Sequence, residues 1–180
     1  FKMRFWNIGA EGQVLVGGIV AAACMINLGN TLPLVPLMIV MFVGSAVAGG
    51  IWGGIPAVFK AKWGANETLF TLMMNYIAIQ LTSFFVALWE HPFGSNSVGI
   101  INPTSKAGWF PPIFGQAYTL NVIIVLALTI LMFVYLKYTK HGYEIEVVCE
   151  SENTARYAAI NVRQVIIRSM IISGAICGIA

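Results

Sequence analysis

Residues 34–55 read "LVPLMIVMFVGSAVAGGIWGGI", a run of 22 residues without one charged side chain. As a helix it would reach about 33 Å at 1.5 Å per residue, enough to cross a hydrocarbon core of about 30 Å. Apolar and polar residues do not alternate along it, so a barrel strand is a poor fit. In lipid each backbone N–H and C=O must be satisfied within the segment, which leaves a helix.

Four more segments of the same kind flank it. They cover residues 13–29, 67–89, 119–136 and, beginning near the C-terminus, 165–180. The 180-residue chain is 58% hydrophobic and only 9% charged, with a mean hydropathy of +0.81. Soluble domains carry about 25% charged residues. The fold class expected is therefore all-α: a polytopic transmembrane bundle of about four to five segments. The N-terminal stretch lacks a starting Met and has no signal-peptide cleavage pattern. The C-terminus stops inside an apolar run, so a single transmembrane domain over 1–180, incomplete at both ends, is expected.

The charge balance of +3 comes from scattered positions and small clusters, which gives nucleic-acid binding no support. Cys24, Cys149 and Cys177 are too far apart for a metal motif, and no disulfide framework is expected. No Asp is present, and His91 and His141 fall in separate loops, so no catalytic or metal constellation assembles. There is no phosphate-binding G-x-x-x-x-G-K-[ST] loop and no cofactor motif.

Lys and Arg set the expected orientation. Lys2 and Arg4 precede the first span, Lys60 and Lys62 follow the second, and Lys137, Lys140, Arg156, Arg163 and Arg168 follow the fourth. If every run crosses once, these fall on one side, the cytoplasm. The connection 90–118, with only Lys106, then lies outside, and its Gly, Pro, Asn and Ser content suits a long loop. Trp109 and Phe110 within it suit the membrane interface.

A polar island, "GYEIEVVCESENTARYAAINVRQ" at 142–164, interrupts the apolar pattern. Residues 137–168 hold nine of the seventeen charged side chains. Within the expected cytoplasmic loop 137–165, "SENTARYAAINV" reads as a short helix. Ser151 is its N-cap, Glu152 lies in the first turn, and Asn161 is its left-handed stop. Ala155, Ala158 and Ala159 would form a small face beside Tyr157, suited to a groove on a partner. An amphipathic helix lying on the membrane surface accounts for the same pattern.

Polar residues near or within the spans are candidates for a solute path. Asn7, Glu11 and Gln13 lie at the start of the first span; Asn75, Tyr76 and Gln80 lie in mid-span. An unpaired amide in lipid costs several kcal/mol, so Asn75 and Gln80 must face protein or water. Lining a path and bonding helix to helix are both open readings. Glu11 equally fits a helix-capping role, and Asn66 with Glu67 fits an N-cap. Gly44, Ala48, Gly49, Gly53 and Gly54 give the second span a flat face, for close helix packing or for a path.

Three stretches resemble one family. "WNIGAEGQVLVGG" (6–18), "GIPAVFKAKWGANETLFTLMMNYIA" (54–78) and "GYEIEVVCESENTARYAAINV" (142–162) are similar, in order, to motifs of ABC-transporter permeases of the nucleoside and simple-sugar type. These belong to the branched-chain amino acid/monosaccharide/nucleoside permease family. The resemblance implies a non-catalytic permease subunit of an ATP-driven importer in the bacterial-type inner membrane. It implies partners: ATP-binding subunits, a second permease subunit and an extracytoplasmic substrate-binding protein, besides membrane lipid. It makes the third stretch the coupling helix that meets the ATPase, through Glu150, Ser151, Ala155, Arg156, Tyr157, Ala158 and Asn161. The sequence departs from the family pattern at Cys149 and Ala159, where the family has Gly, and at Ser151-Glu152, where it has Asn-Pro. An ion-coupled carrier or channel is the competing class, disfavoured by spans nearly free of ionisable residues.

Overall fold

The computed structural model describes residues 7–103, 106, 108–110 and 119–180, with Glu152 and Asn153 described by backbone alone. Lys2, Arg4 and residues 111–118 of the long connection lie outside the described residues. Among these residues there are seven helices and no strand: α1 Ala10–Leu28, α2 Leu34–Trp63, α3 Glu67–Leu88, α4 Thr119–Tyr138, α5 Lys140–Glu150, α6 Glu152–Tyr157 and α7 Val162–Ile179. α1, α2, α3, α4 and α7 are long and apolar enough to cross a membrane. The protein is an all-helical, multi-pass membrane protein.

The boundaries follow local chemistry. α2 runs past the expected end at residue 55, through the buried Pro56, to Trp63. A soluble helix would tend to break there; helices in membranes tolerate the lost hydrogen bond because neighbouring groups re-satisfy it. Gly64 ends α2 in the left-handed region at φ 63°, its N–H returning to the Lys60 carbonyl. The expected Asn66 cap is present: its Oδ1 accepts from Thr68 N at 3.1 Å and Leu69 N at 3.4 Å.

The chain divides into two compact units. One comprises Asn7–Gly108 with Met170–Ala180. In it α1 packs on both α2 and α3. The glycine face of α2 is taken up by the end of α7: a Cβ on Gly49 would strike the Gly174 carbonyl, and one on Gly178 the Ser45 carbonyl. Gly17 of α1 meets Gly178 in the same way. Ser45 Oγ donates to the Gly17 carbonyl at 3.0 Å. Of the two readings of this glycine face, close packing within the chain is what Gly49 and Gly53 serve.

The other unit lies within Trp109–Ser169. It holds α4, α5, α6 and the first turns of α7. None of α4's residues is buried, as befits a helix whose solvent is lipid. Thr139 makes the corner into α5: its Oγ1 donates to the Tyr135 carbonyl at 2.7 Å and accepts from Gly142 N at 3.3 Å. Gly142 abuts the Leu136 carbonyl, leaving no room for a side chain. Ile145 and Val148 of α5, Ala155 of α6 and Val165 of α7 form a small core, with Cys149 and Ile160 packed at its edge.

Candidate functional site

The polar island contains two helices rather than one. α5 carries Glu144, Glu146 and Glu150, and α6 follows after a break at Ser151, extended at φ −161°, ψ 126°. The expected N-cap is present, with Ser151 Oγ accepting from Thr154 N at 3.4 Å. The expected stop is corrected. α6 ends at Tyr157, and the left-handed residue is Ala159, at φ 57°. Ile160 N reaches back to the Ala155 carbonyl at 2.9 Å and Ala159 N to the Arg156 carbonyl at 3.1 Å. This paired 6→1 and 5→2 closure is a Schellman motif, and Ile160 supplies its apolar contact with the Ala155 core. Asn161 instead starts α7: its Oδ1 accepts from Gln164 N at 3.4 Å.

The expected small face is also corrected. Ala155 is fully buried under Ile145, Val148 and Val165, so it anchors α6 and presents nothing outward. Arg156, Ala158 and Ala159 are exposed, as is Glu150 on α5, and Tyr157 is 93% exposed. Tyr143 on α5, which the sequence reading passed over, is 65% exposed. A short helix clamped on its small side thus displays a cation and an aromatic ring on the other. The Glu152 side chain lies outside the described residues.

The six candidate path residues separate into two sets. Asn75 is buried and bonded through both ends of its amide: Oδ1 accepts from Gly12 N at 2.9 Å, and Nδ2 donates to the Ile8 carbonyl at 2.8 Å. Asn7 turns inward locally, its Oδ1 accepting from Gly9 N at 2.9 Å. Gln13 is 1% exposed against Gly53, and its Oε1 has no hydrogen-bond partner. Of these three, Asn75 ties the entry of α1 to α3, while Asn7 bonds locally and Gln13 is packed in the interior. Glu11, Tyr76 and Gln80 are exposed, Tyr76 by 63%. Glu11 sits in the first turn of α1, where the helix dipole favours a carboxylate.

At the far ends of α1 and α3 the connection folds back. Glu90 accepts from Gly94 N at 2.8 Å and Asn96 N at 3.1 Å, and Asn102 Nδ2 donates to the Met25 carbonyl at 2.8 Å. Trp89, Glu90, His91 and Asn102 contribute to the wall of an open cavity of about 340 Å³ there. Among the described residues, no group of three or more His, Cys, Asp or Glu side chains lies together in a metal-binding cluster.

A family model for the permease component of branched-chain amino acid transport systems matches residues 1–180. The guanosine ABC transporter permease protein NupP of Bacillus subtilis (strain 168) is 32% identical over 186 residues, covering 100% of this chain and 52% of that protein. The glucose ABC transporter permease protein TsgB13 of Haloferax volcanii is 28% identical, covering 97% of this chain and 48% of the relative. The nucleoside ABC transporter permease protein NupB of Lactococcus lactis subsp. cremoris is 26% identical, covering 99% and 51%. The chain spans about half the length of the curated relatives it matches. No solved structure gives a significant match. Five apolar helices, the sequence motifs and a match over every residue agree: the chain belongs to the family of branched-chain amino acid transport system permease components.

Proposed function

We propose that this chain forms part of the membrane permease subunit of an ATP-driven importer for nucleosides or related sugar-like solutes. Its ATPase is a separate subunit, which α6 engages from the cytoplasm. The observation that carries this reading is the arrangement of α6. Ala155 is buried in the core of its unit while Tyr157, two residues on, is 93% exposed. An aromatic ring held that far from any apolar cover is a natural anchor for a partner's groove, and Tyr and Arg are the residue types that dominate such contacts. Tyr143, Glu150 and Arg156, exposed on the same two helices, add the mixed polarity of an interface rim.

The solute class is supported by the guanosine, nucleoside and glucose named for the relatives. A second permease subunit and an extracytoplasmic binding protein complete the assembly. Tyr76 and Gln80 form its path. An amide exposed in mid-span needs protein or water opposite it, and a tyrosine four positions before it, one helical turn away, offers a ring and a hydroxyl. Loop 137–165 lies in the cytoplasm and connection 90–118 outside, following the Lys and Arg distribution.

Copurification of the ATPase with the tagged full-length permease tests this. Tyr157→Ala and Arg156→Glu should release the ATPase while the permease keeps its thermal stability, because neither side chain is in the core. ATP-dependent uptake of guanosine should fall in parallel. Retention of the ATPase by both variants, or uptake driven by an ion gradient without ATP, rejects the reading.

A further inference from the structure

The cavity at the ends of α1 and α3 is not explained by helix packing. Its volume, about 340 Å³, falls in the range of small-ligand sites. Its wall is divided evenly in character. Ile26 and Ile101 lie on the apolar part, Glu90, His91 and Asn102 on the polar part, and Trp89 joins the two. The floor is fixed: Trp89 leans on Phe85 at a centroid distance of 5.0 Å, and Asn102 ties the connection to the last turns of α1 through Met25. Glu90 is held by Gly94 N and Asn96 N, one on each oxygen. A carboxylate offers about four acceptor positions, so its oxygens retain capacity for hydroxyl donors.

We infer that this cavity is a binding site for an uncharged, ring-bearing polyol, a nucleoside or monosaccharide, on the permease's outer mouth. The inference rests on the proposed function for its sidedness and solute class. Such a solute has a flat apolar face for Trp89 and a rim of hydroxyls for Glu90, His91 and Asn102. A carboxylate at the wall opposes anionic headgroups and phosphates, and the polar half opposes an acyl chain. The site would hold solute handed over at the membrane face before it enters the path.

Two measurements on the full-length transporter test it. With the native cysteines replaced by alanine, Cys24, Cys149 and Cys177 among them, Val98→Cys places a thiol on the cavity wall and Ser95→Cys a control thiol on the same loop. A membrane-impermeant maleimide is applied to intact cells with and without guanosine or glucose. A solute at about four times its Kd should slow labelling of Val98→Cys about fivefold and leave Ser95→Cys unchanged. In uptake assays Trp89→Ala should raise KM roughly tenfold, the scale of a lost base-stacking contact, with Trp89→Phe close to wild type. ATP-dependent uptake with no protection at Val98→Cys and no change in KM overturns the site while leaving the transport reading intact. Selective protection without ATP-driven uptake keeps the site and rejects the transport reading. Neither uptake nor protection rejects both.

Discussion

The side chain of Asn75 takes the place of a helix cap for Gly12. Its Oδ1 accepts the Gly12 N–H at 2.9 Å, one of the early N–H groups of α1 that has no partner within the helix. Its Nδ2 closes the clamp on the Ile8 carbonyl at 2.8 Å. Gly9, the residue before α1, offers no capping side chain, so the cap comes from 63 residues away. A Cβ on Gly12 would lie 2.8 Å from Asn75 Oδ1, so the glycine is what lets the amide approach.

Asn75→Leu removes both bonds and leaves two backbone groups unpaired where water is scarce. The expected loss is about 3 kcal/mol, at one to two per orphaned group. Thermal unfolding of the purified permease should show it. Tyr76→Phe, on the exposed side of the same turn, should leave stability within about 0.5 kcal/mol, as surface changes do. Equal loss from both would mean that Tyr76 is also packed against protein in the full assembly.

Ala159 sits in the left-handed region at φ 57°, where the family pattern has glycine. An L-residue there is disfavoured by about 1–2 kcal/mol, offset partly by glycine's greater entropy when unfolded. Ala159→Gly should therefore stabilise the α6–α7 turn by about 0.5–1 kcal/mol, and Ala159→Val should destabilise it by more. Limited proteolysis of the loop, which reports local opening, reads both changes. A faster-cut Ala159→Gly variant would refute this account of the turn.

The spans were legible because apolar length suffices to announce a membrane helix, and all five were found. The end of α2 was set too early, at residue 55, because an apolar run marks the membrane span and not the helical turns that continue beyond it to Trp63. In the island, the Ser151 cap was legible because capping is local. Asn161 was misread because a Schellman closure depends on which carbonyl Ile160 N reaches, and that is set by the packing of Ile160 beside Ala155. The burial of Ala155 was hidden for the same reason: α5 and α7, which cover it, lie on both sides in sequence. Asn75 and Gln80 were one class in the sequence; five residues apart on a helix, they lie about 140° apart around its axis, one inward and the other out. The cavity beside Trp89 left no sequence signal, because α1 and the connection meet there only in space.

Gly49, Gly174 and Gly178 let two helix backbones touch, and this contact has no slack. Gly49→Val places methyl groups where the Gly174 carbonyl lies, and the helices must separate. Overpacking of this kind typically costs about 1–3 kcal/mol, and loss of the Ser45 to Gly17 bond would add to it. Gly18, whose Cβ would meet nothing, is the internal control: Gly18→Ala should be neutral or mildly stabilising. Yield of monodisperse protein and thermal unfolding in detergent compare the two. Equal tolerance at 49 and 18 would show that α7 does not press on α2 as closely as described.

Lys60 Nζ lies 2.7 Å from Glu67 Oε2, joining the last turn of α2 to the first turn of α3 across the Gly64 corner. The pair is partly shielded, at 30% and 18% side-chain exposure. The same two helices also meet through Phe59, stacked on Phe70 at 4.8 Å and tilted on Trp63 at 4.9 Å. Partial burial limits screening, so the pair should contribute near the upper end for surface pairs, about 1 kcal/mol. A double-mutant cycle with Lys60→Met and Glu67→Gln isolates that coupling. The cycle should hold its value between low and moderate salt, whereas a solvent-exposed pair would lose much of it. Both basic residues near this corner, Lys60 and Lys62, also carry the proposed cytoplasmic placement of the turn. Lys60→Met with Lys62→Met should therefore weaken the orientation bias without breaking the fold, read as a rise in outside labelling of a cysteine at Ala65. A coupling of zero, or one abolished by salt, would mean the two side chains meet only in passing and the corner is held by Phe59, Phe70 and the Asn66 cap alone.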